Sequence, residues 1–230
     1  MTTQLPSPEE LLSRWNVQQA ALVRHRDARF ETIIKVIEHL GRPAPRVLDL
    51  ASGPGALTKL VRDHFPDSHV TTVDKDPLLL EIARRVFEED QNVTVLDEDL
   101  ENPAWTKQVT GPFDAVISAT ALHWLQPDTL SRVYYELADL ISPGGVFLNA
   151  DDLYFSEATY PTLRQIALDD DHEKQLAGFE AGADTWEKWW ELATTHPEYV
   201  EAAAARERVW AQRVTPTPQV TLGYHLESLR

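Results

Sequence analysis

The most constraining feature of the sequence is the stretch VLDLASGPGALT, residues 47–58. An apolar run at residues 47–50 carries one acid, Asp49, which is typical of a buried parallel strand whose carboxyl end reaches a cleft. Gly53 and Gly55 follow at once, and the apolar spacing after them predicts a helix. Glycine suits this turn because the backbone must bend sharply and lie close to a ligand. The stretch therefore predicts a strand, a glycine turn and a helix that together bind a nucleotide.

The charge beside the glycine turn indicates which nucleotide binds there. A dinucleotide loop directs a helix N-terminus at a pyrophosphate, and an acid at the strand end would repel that anion. Asp49 is such an acid, and Thr58 stands where a dinucleotide loop has its third glycine. A cationic nucleotide fits better, and S-adenosylmethionine (SAM) carries both a sulfonium and an ammonium group. The glycine pattern alone is a weak signal, and an ordinary strand-to-helix turn is the alternative.

The same stretch resembles motif I of the class I SAM-dependent methyltransferases, in which an acid is followed by G-x-G. The resemblance is good over residues 30–150 and holds only in outline elsewhere. It implies that SAM is the cofactor. It also implies a set of cofactor residues around the turn, namely Asp49, Ala51, Ser52, Gly53 and Gly55.

Further acids lie at the ends of the neighbouring predicted strands. Asp74 ends the second strand, where an acid accepts hydrogen bonds from both ribose hydroxyls, in NAD proteins as well as in SAM proteins. By resemblance to the family, Asp99 accepts a hydrogen bond from the adenine amino group, and Asp97 is its nearby rival. Leu100 then flanks the adenine ring, and Lys75 belongs to the same cofactor set. Three acids at three adjacent strand ends are the strongest constellation in the chain.

The segment SATALHWL, after the fourth predicted strand, resembles the corresponding segment of trans-aconitate methyltransferase-like proteins. By that resemblance, the carbonyl groups of Ser118 and Ala119 face the ammonium of SAM. Thr120, His123 and Trp124 then face the methyl acceptor. A histidine there can accept a proton from the acceptor or neutralise a carboxylate, so His123 is the candidate catalytic residue. The alternative is a structural histidine at the start of a helix.

The order of elements predicts the fold. Five strands alternating with helices specify a parallel, right-handed, Rossmann-like α/β sheet with ligands at the carboxyl ends of the strands. The predicted strands are 46–50, 69–74, 93–96, 113–118 and 146–150, with a turn at SPGG before the fifth. The predicted divisions are N-terminal helices at 1–40, a SAM-binding core at 41–150, a helical cap at 151–218 and a final helix at 219–230.

The predicted cap is acidic and rich in tryptophan, with Trp186, Trp189, Trp190 and Trp210. Its position after the fifth strand resembles the substrate cap of small-molecule methyltransferases, and Trp186 is accordingly expected to contact the acceptor. The alternative is that WEKWW packs against the sheet as ordinary core. Family members normally add an antiparallel strand pair after the last helix. Nothing in this sequence provides that pair, so we expect either that the chain is truncated or that the fifth strand is left as an edge that something else must cover.

Composition excludes several classes of protein. The net charge is −16 and there are no cysteines, which argues against nucleic-acid substrates, disulfides and cysteine-based catalysis or metal sites. SATALHWL also differs from the D/N-P-P-Y/F motif of enzymes that methylate bases. The N-terminus does not read as a signal peptide and no apolar run is long enough to span a membrane, so a cytoplasmic location is expected. The acidic surplus at 151–200 is expected to form a solvated surface.

The sequence therefore predicts a SAM-dependent methyltransferase acting on an oxygen or nitrogen of a small molecule, including a carboxylate oxygen. Displacement at a sulfonium needs no metal and no obligatory base, so the acceptor is left open. The oligomeric state is left open too. Two alternatives remain: a non-catalytic protein that keeps the fold for binding or scaffolding, and an NAD-dependent dehydrogenase.

Overall fold

A computed structural model describes residues 5–153, 155–211 and 220–230. In these residues five parallel strands form one sheet with the order β3-β2-β1-β4-β5. The strands are β1 (Arg46–Leu50), β2 (His69–Asp74), β3 (Val93–Asp97), β4 (Phe113–Ala119) and β5 (Ile141–Ala150). The helices before β5 are α1 (Pro8–Leu22), α2 (Arg26–His39), α3 (Ala56–His64), α4 (Pro77–Val86) and α5 (Pro127–Leu140). After β5 come α6 (Pro161–Glu180), α7 (Trp186–Thr194), α8 (Val200–Trp210) and α9 (Leu222–Ser228).

Helices cover both faces of the sheet, as is usual for a parallel sheet. Leu48 and Leu50 of β1 pack in one core cluster with apolar residues of α5. Val47 packs in a second cluster, with apolar residues of α2 and α3. Neighbouring side chains of a strand point to opposite faces, which explains why consecutive residues of β1 belong to different clusters. The Rossmann-like parallel sheet predicted from the sequence is confirmed.

The strand register brings the predicted site residues to one edge of the sheet. Asp49 of β1 lies beside Thr72 of β2 and Ile117 of β4. At the ends of their strands, Asp74 pairs with Asp97, and Ala119 pairs with Ala150. Because adjacent strands are about 4.8 Å apart, the turns that follow β1, β2, β4 and β5 form a continuous rim.

The prediction of a separate turn at SPGG is wrong. Helix α5 passes directly into β5, and the SPGG residues lie inside the strand. Ile141 pairs with Phe113, and the register then shifts, so that Val146 pairs with Ala115. The strand pairing is irregular between these two pairs, where β5 carries three more residues than β4 and Gly144 has φ +78°. A side chain at Gly145 would approach the carbonyl oxygen of Asp114 to 2.8 Å, so the close strand contact requires glycine there.

The helices after β5 pack on the N-terminal part of the chain. Gly178 of α6 meets Ala21 of α1 so closely that a Cβ at Gly178 would lie 2.4 Å from the Ala21 Cβ. Trp189 of α7 is fully buried in a cluster with Leu11 of α1 and Leu78 of α4. Trp189 is therefore a core residue, as in the alternative interpretation of WEKWW, but it packs on helices and not on the sheet. Residues 212–218 of the predicted cap lie outside the described residues, as do residues 1–4.

Ion pairs also connect the segment after β5 to the N-terminal part of the chain. They correct the expectation that the acids of this segment only face solvent. Four acids pair with three arginines: Asp184 with Arg14 at 2.7 Å, Asp170 with Arg24 at 2.9 Å, Asp171 with Arg24 at 2.7 Å and Asp152 with Arg29 at 2.5 Å. Part of the negative charge thus balances arginines of the N-terminal helices. None of the helices described is both long enough and apolar enough to cross a bilayer.

Candidate active site

The glycine turn after β1 has the conformation that the sequence pattern requires. Gly53 and Gly55 have φ values of +58° and +86°, which L side chains rarely adopt. A Cβ at Gly55 would also lie 2.5 Å from the ring of Phe87. Ala51 has φ +50° without being glycine, and such strained residues concentrate at functional sites. The turn is therefore fixed by backbone conformation and by packing.

The N–H groups of this turn are engaged within the protein. Ser52 donates to the carbonyl oxygen of Val73 at 3.1 Å, and Gly55 donates to the carbonyl oxygen of Ser52 at 3.1 Å. Gly53 donates to Oδ2 of Asp74 at 2.7 Å. A dinucleotide loop needs such groups free to bind a pyrophosphate. Their engagement argues against the NAD alternative.

Asp49 is a buried acid beneath the turn. Its carboxylate accepts a hydrogen bond from the Thr58 hydroxyl at 2.7 Å. Burial raises the pKa of Asp49 to about 7, while the hydrogen bonds from Thr58 oppose the shift. A carboxyl group that costs free energy to ionise in the free protein is stabilised by a nearby cation. Thr58, noted in the sequence only as a missing glycine, holds this acid in place.

Asp74 joins the glycine turn to the turn after β2. Its Oδ2 accepts from Gly53, and its Oδ1 accepts from the backbone N–H of Asp76 at 2.8 Å. Burial raises the pKa of Asp74 to about 6, and these backbone hydrogen bonds oppose the shift. Carboxylate oxygens accept more than one hydrogen bond, so Asp74 retains acceptor capacity for hydroxyl groups.

Asp99 follows β3 and faces the turn after β2. Lys75 lies 3.3 Å from Oδ2 of Asp99, and Oδ1 of Asp99 accepts from the backbone N–H of Glu101 at 2.9 Å. The acids of β2 and β3 are thus linked through Lys75. Leu100 packs into the core with 5% of its surface exposed, so its contact with an adenine ring stays a prediction. Asp97 pairs with Asp74 across the strands.

The segment after β4 is held against β1 and β5. The hydroxyl of Ser118 donates to the carbonyl oxygen of Leu50 at 2.9 Å, and Ser118 is fully buried. Ala119 ends β4, and Thr120 has φ +52° while its N–H donates to the carbonyl oxygen of Ala150 at 3.1 Å. A second strained non-glycine residue thus lies on the same rim as Ala51. The carbonyl contacts predicted for Ser118 and Ala119 stay predictions.

His123 forms a dyad with Asp151, the residue directly after β5. Nδ1 of His123 lies 2.6 Å from Oδ1 of Asp151, and the His123 backbone N–H donates to Oδ2 at 3.0 Å. The Asp151 side chain is 1% exposed and that of His123 is 20% exposed. From this geometry we assign the proton to Nδ1, which leaves Nε2 as a proton acceptor. The sequence analysis missed Asp151, although an acid at the end of the fifth strand was a visible signal.

A hydrogen bond and an ion pair link the dyad to Arg29 of α2. The backbone N–H of Asp152 donates to Oδ1 of Asp151 at 2.8 Å, and the carboxylate of Asp152 pairs with Arg29. The segment after β5 is thereby fixed on the side of the N-terminal helices. Trp124 stacks beside His123, with 5.2 Å between ring centroids, and is 40% exposed. An aromatic surface therefore borders the dyad.

Trp186 lies in an aromatic cluster with Trp15 and Trp190. Its ring centroid is 6.1 Å from that of Trp15 and 5.5 Å from that of Trp190. Trp15 also borders the glycine turn, since its Cζ2 would be 3.7 Å from a Cβ at Gly53. A role for Trp186 in acceptor binding stays a prediction. Among the described residues, no group of three or more histidines and acids is placed to hold a metal ion.

The sheet order and the glycine turn at its carboxyl edge define a nucleotide-binding α/β domain. Two solved structures share its fold. A protein from Nostoc punctiforme aligns with 89% of this chain and 49% of its own, at a TM-score of 0.53 and 14% identity. DesVI from Streptomyces venezuelae aligns with 64% of this chain and 60% of its own, at a TM-score of 0.50 and 18% identity.

Sequence comparison defines the family within this fold. Residues 47–145 match the family model of the methyltransferase domain. A trans-aconitate 2-methyltransferase of Methylobacterium radiotolerans is 30% identical over 68% of this chain and 56% of its own length. A trans-aconitate 2-methyltransferase of Streptomyces coelicolor is 27% identical over 67% of this chain and 50% of its own. A malonyl-[acyl-carrier protein] O-methyltransferase of Chlorobium phaeovibrioides is 28% identical over 90% of this chain and 72% of its own.

The family model and these relatives support the predicted resemblance to the class I SAM-dependent methyltransferases. They imply SAM as the cofactor, which the acids around the glycine turn also predict. The chain spans about half the length of the trans-aconitate methyltransferases that it matches. The residues present fit a cation of this kind, because the buried Asp49 and the partly buried Asp74, both with raised pKa values, lie beside the turn.

Proposed function

We propose that the protein transfers a methyl group to an oxygen atom of a small molecule, with His123 as general base. The observation that supports this best is the dyad of His123 and Asp151 at the carboxyl edge of the sheet. The glycine turn follows β1 and the dyad follows β4 and β5, so the two are separated by roughly two strand spacings, on the order of 10 Å. This distance suits a methyl acceptor between them.

When bound, SAM supplies an electrophilic methyl group and leaves as a neutral thioether. The chain must then align the acceptor, exclude water and receive any proton that the acceptor loses. Nε2 of His123 can take a hydroxyl proton, and Asp151 stabilises the imidazolium that results. Asp151 suits this role because it is buried and accepts hydrogen bonds from both backbone and side chain.

A carboxylate acceptor would use the same dyad in the opposite protonation state. It carries no proton to remove, and an imidazolium at position 123 would neutralise its charge. The names of the relatives include a carboxylic acid, trans-aconitate, and an O-methyltransferase of malonyl carrier protein. Both acceptor types place the methyl group on oxygen, which is the reason for preferring oxygen to nitrogen.

The test is formation of S-adenosylhomocysteine from SAM with a panel of phenols, alcohols, carboxylates and amines. His123→Gln should lower turnover with hydroxyl acceptors, because Nε2 of His123 is then no longer present to accept their proton. Turnover with amines alone, or an unchanged rate in His123→Gln, would contradict the proposal.

A further inference from the structure

The last helix of the cap, α8, ends against the turn that follows the ribose acid Asp74. The indole N–H of Trp210 donates to Oδ2 of Asp76 at 2.8 Å. The guanidinium of Arg206 forms an ion pair with the same oxygen, with 2.8 Å from Nε to Oδ2. Asp76 is 1% exposed, so this contact is buried. Two residues from a distant part of the sequence thus hold one buried carboxylate beside the cofactor turn.

Asp76 is in turn bonded to the cofactor residue itself. Its backbone N–H donates to Oδ1 of Asp74, as described above. Its Oδ1 accepts from the N–H groups of Leu78 and Leu79 and caps α4. The side chain of Asp76 therefore has one oxygen committed to α4 and the other to α8. Loss of the α8 partners would leave a buried carboxylate oxygen without compensation, and the turn would have to rearrange.

Trp210 touches the adenine side of the site as well. Its ring centroid lies 5.2 Å from Nζ of Lys75, a distance suited to a cation–π contact. Lys75 pairs with Asp99, the acid expected to bind the adenine amino group. Through Trp210, α8 thus contacts two consecutive residues, Lys75 and Asp76, of the turn that follows Asp74.

The rest of α8 packs on α4 and α7, where Ala202 and Ala203 contact the buried cluster that contains Leu78 and Trp189. The guanidinium carbon of Arg206 lies 3.8 Å from the ring centroid of Trp190 in α7. Helix α8 contains no fully buried residue among its own side chains. The contacts of Arg206 and Trp210 with Asp76 and Lys75 fix the C-terminal end of α8 against the turn after β2.

We propose that α8 forms the outer wall of the cofactor site, and that Arg206 and Trp210 are positioning residues that couple docking of this helix to SAM binding. The inference rests on SAM as the cofactor, which the proposed function also uses. Such coupling is reciprocal: docking of α8 strengthens SAM binding, and SAM binding protects α8 from opening by the same factor.

The first test is hydrogen exchange of the unmodified protein with and without SAM. We expect SAM to slow exchange of the amides of α8 as well as those of the turn at residues 74–76. Exchange in α9, which packs against α5, serves as the internal control and should not change. Protection of the turn without any protection of α8 would overturn the inference.

The second test measures SAM affinity by calorimetry in Trp210→Phe and Arg206→Met. Trp210→Phe keeps an aromatic ring but removes the N–H donor, and we expect SAM affinity to fall about fivefold or more in each variant. Arg206→Lys, which keeps the charge, should recover part of the loss. Arg208→Met is the matched control on the exposed side of the same helix and should bind SAM like the unmodified protein.

These measurements separate the inference from the proposed function. They record binding alone, so a protein that binds SAM and protects α8 but turns over no acceptor would refute only the proposed function. Unmodified affinity in both Trp210→Phe and Arg206→Met would overturn the inference while leaving turnover untouched. Failure of the unmodified protein to bind SAM would overturn both.

Discussion

Replacing Asp49 by asparagine should stabilise the free protein at pH 8 and weaken its binding of SAM. Burial raises the pKa of Asp49 from 3.8 to about 7. A carboxyl group whose pKa is raised by folding destabilises the folded state when it is ionised. This free-energy cost is absent below the unfolded-state pKa, and it is complete once the pH has risen through the folded-state pKa. At about 1.36 kcal/mol per pKa unit, ionised Asp49 costs the free protein up to about 4 kcal/mol at pH 8.

The same acid should make SAM affinity depend on pH. With a pKa of about 7, Asp49 is ionised in only about 1% of molecules at pH 5 but in most molecules at pH 7.5. If the cation binds the ionised form, affinity at pH 5 should be about 10²-fold lower. Asp74, with a pKa of about 6, should add about a further tenfold. Binding near pH 6.5 should also release protons to the buffer.

Calorimetry between pH 5 and 7.5, in two buffers of different ionisation enthalpy, measures both the affinity and the proton release. Thermal unfolding at pH 8 measures the stability of Asp49→Asn, in which the amide oxygen can still accept from Thr58. Asp63→Asn, an exposed acid of α3, is the matched control. A SAM affinity constant within threefold from pH 5 to 7.5, with Asp49→Asn no more stable than the unmodified protein, would refute the reasoning.

Three further predictions concern the dyad, the tryptophan cluster and the glycine turn. Asp151→Asn should lower turnover about 10²- to 10⁴-fold by removing the anion that orients His123, and adding His123→Gln should cause little further loss. Turnover in Asp151→Asn equal to that of the unmodified protein would contradict the role of the dyad. As the control, SAM affinity should be unchanged in this variant. Trp189→Ala should lower the free energy of unfolding by about 3 to 5 kcal/mol because Trp189 is fully buried, whereas Trp186→Ala should lower it far less. Comparable denaturant midpoints for the two variants would contradict this prediction. Gly55→Ala should cost more than about 1 kcal/mol through backbone strain and collision with a ring, measured by thermal unfolding; an unchanged midpoint would count against the turn geometry.

The sequence by itself determined the sheet, and it predicted the acids that lie at the carboxyl edge of that sheet. Strands β1 to β4 and the helices between them follow from local apolar periodicity and from glycine, proline and capping residues, as Ser7 and Asp76 show at the starts of α1 and α4. The acids Asp49, Asp74 and Asp99 could be found because each comes directly at or after a strand. Parallel topology then places their strand ends together without further information.

What the sequence could not determine depends on contacts between distant segments. Asp151 orients His123 because β4 and β5 end side by side, and Trp210 reaches Asp76 although 134 positions separate them. The irregular pairing at SPGG depends in the same way on the register of β5 against β4. Local patterns record which face of an element is apolar, but not which polar group a buried side chain will meet. Only the tertiary structure decides that, because each buried carboxylate must find its donors among whatever residues the packing brings within hydrogen-bonding distance.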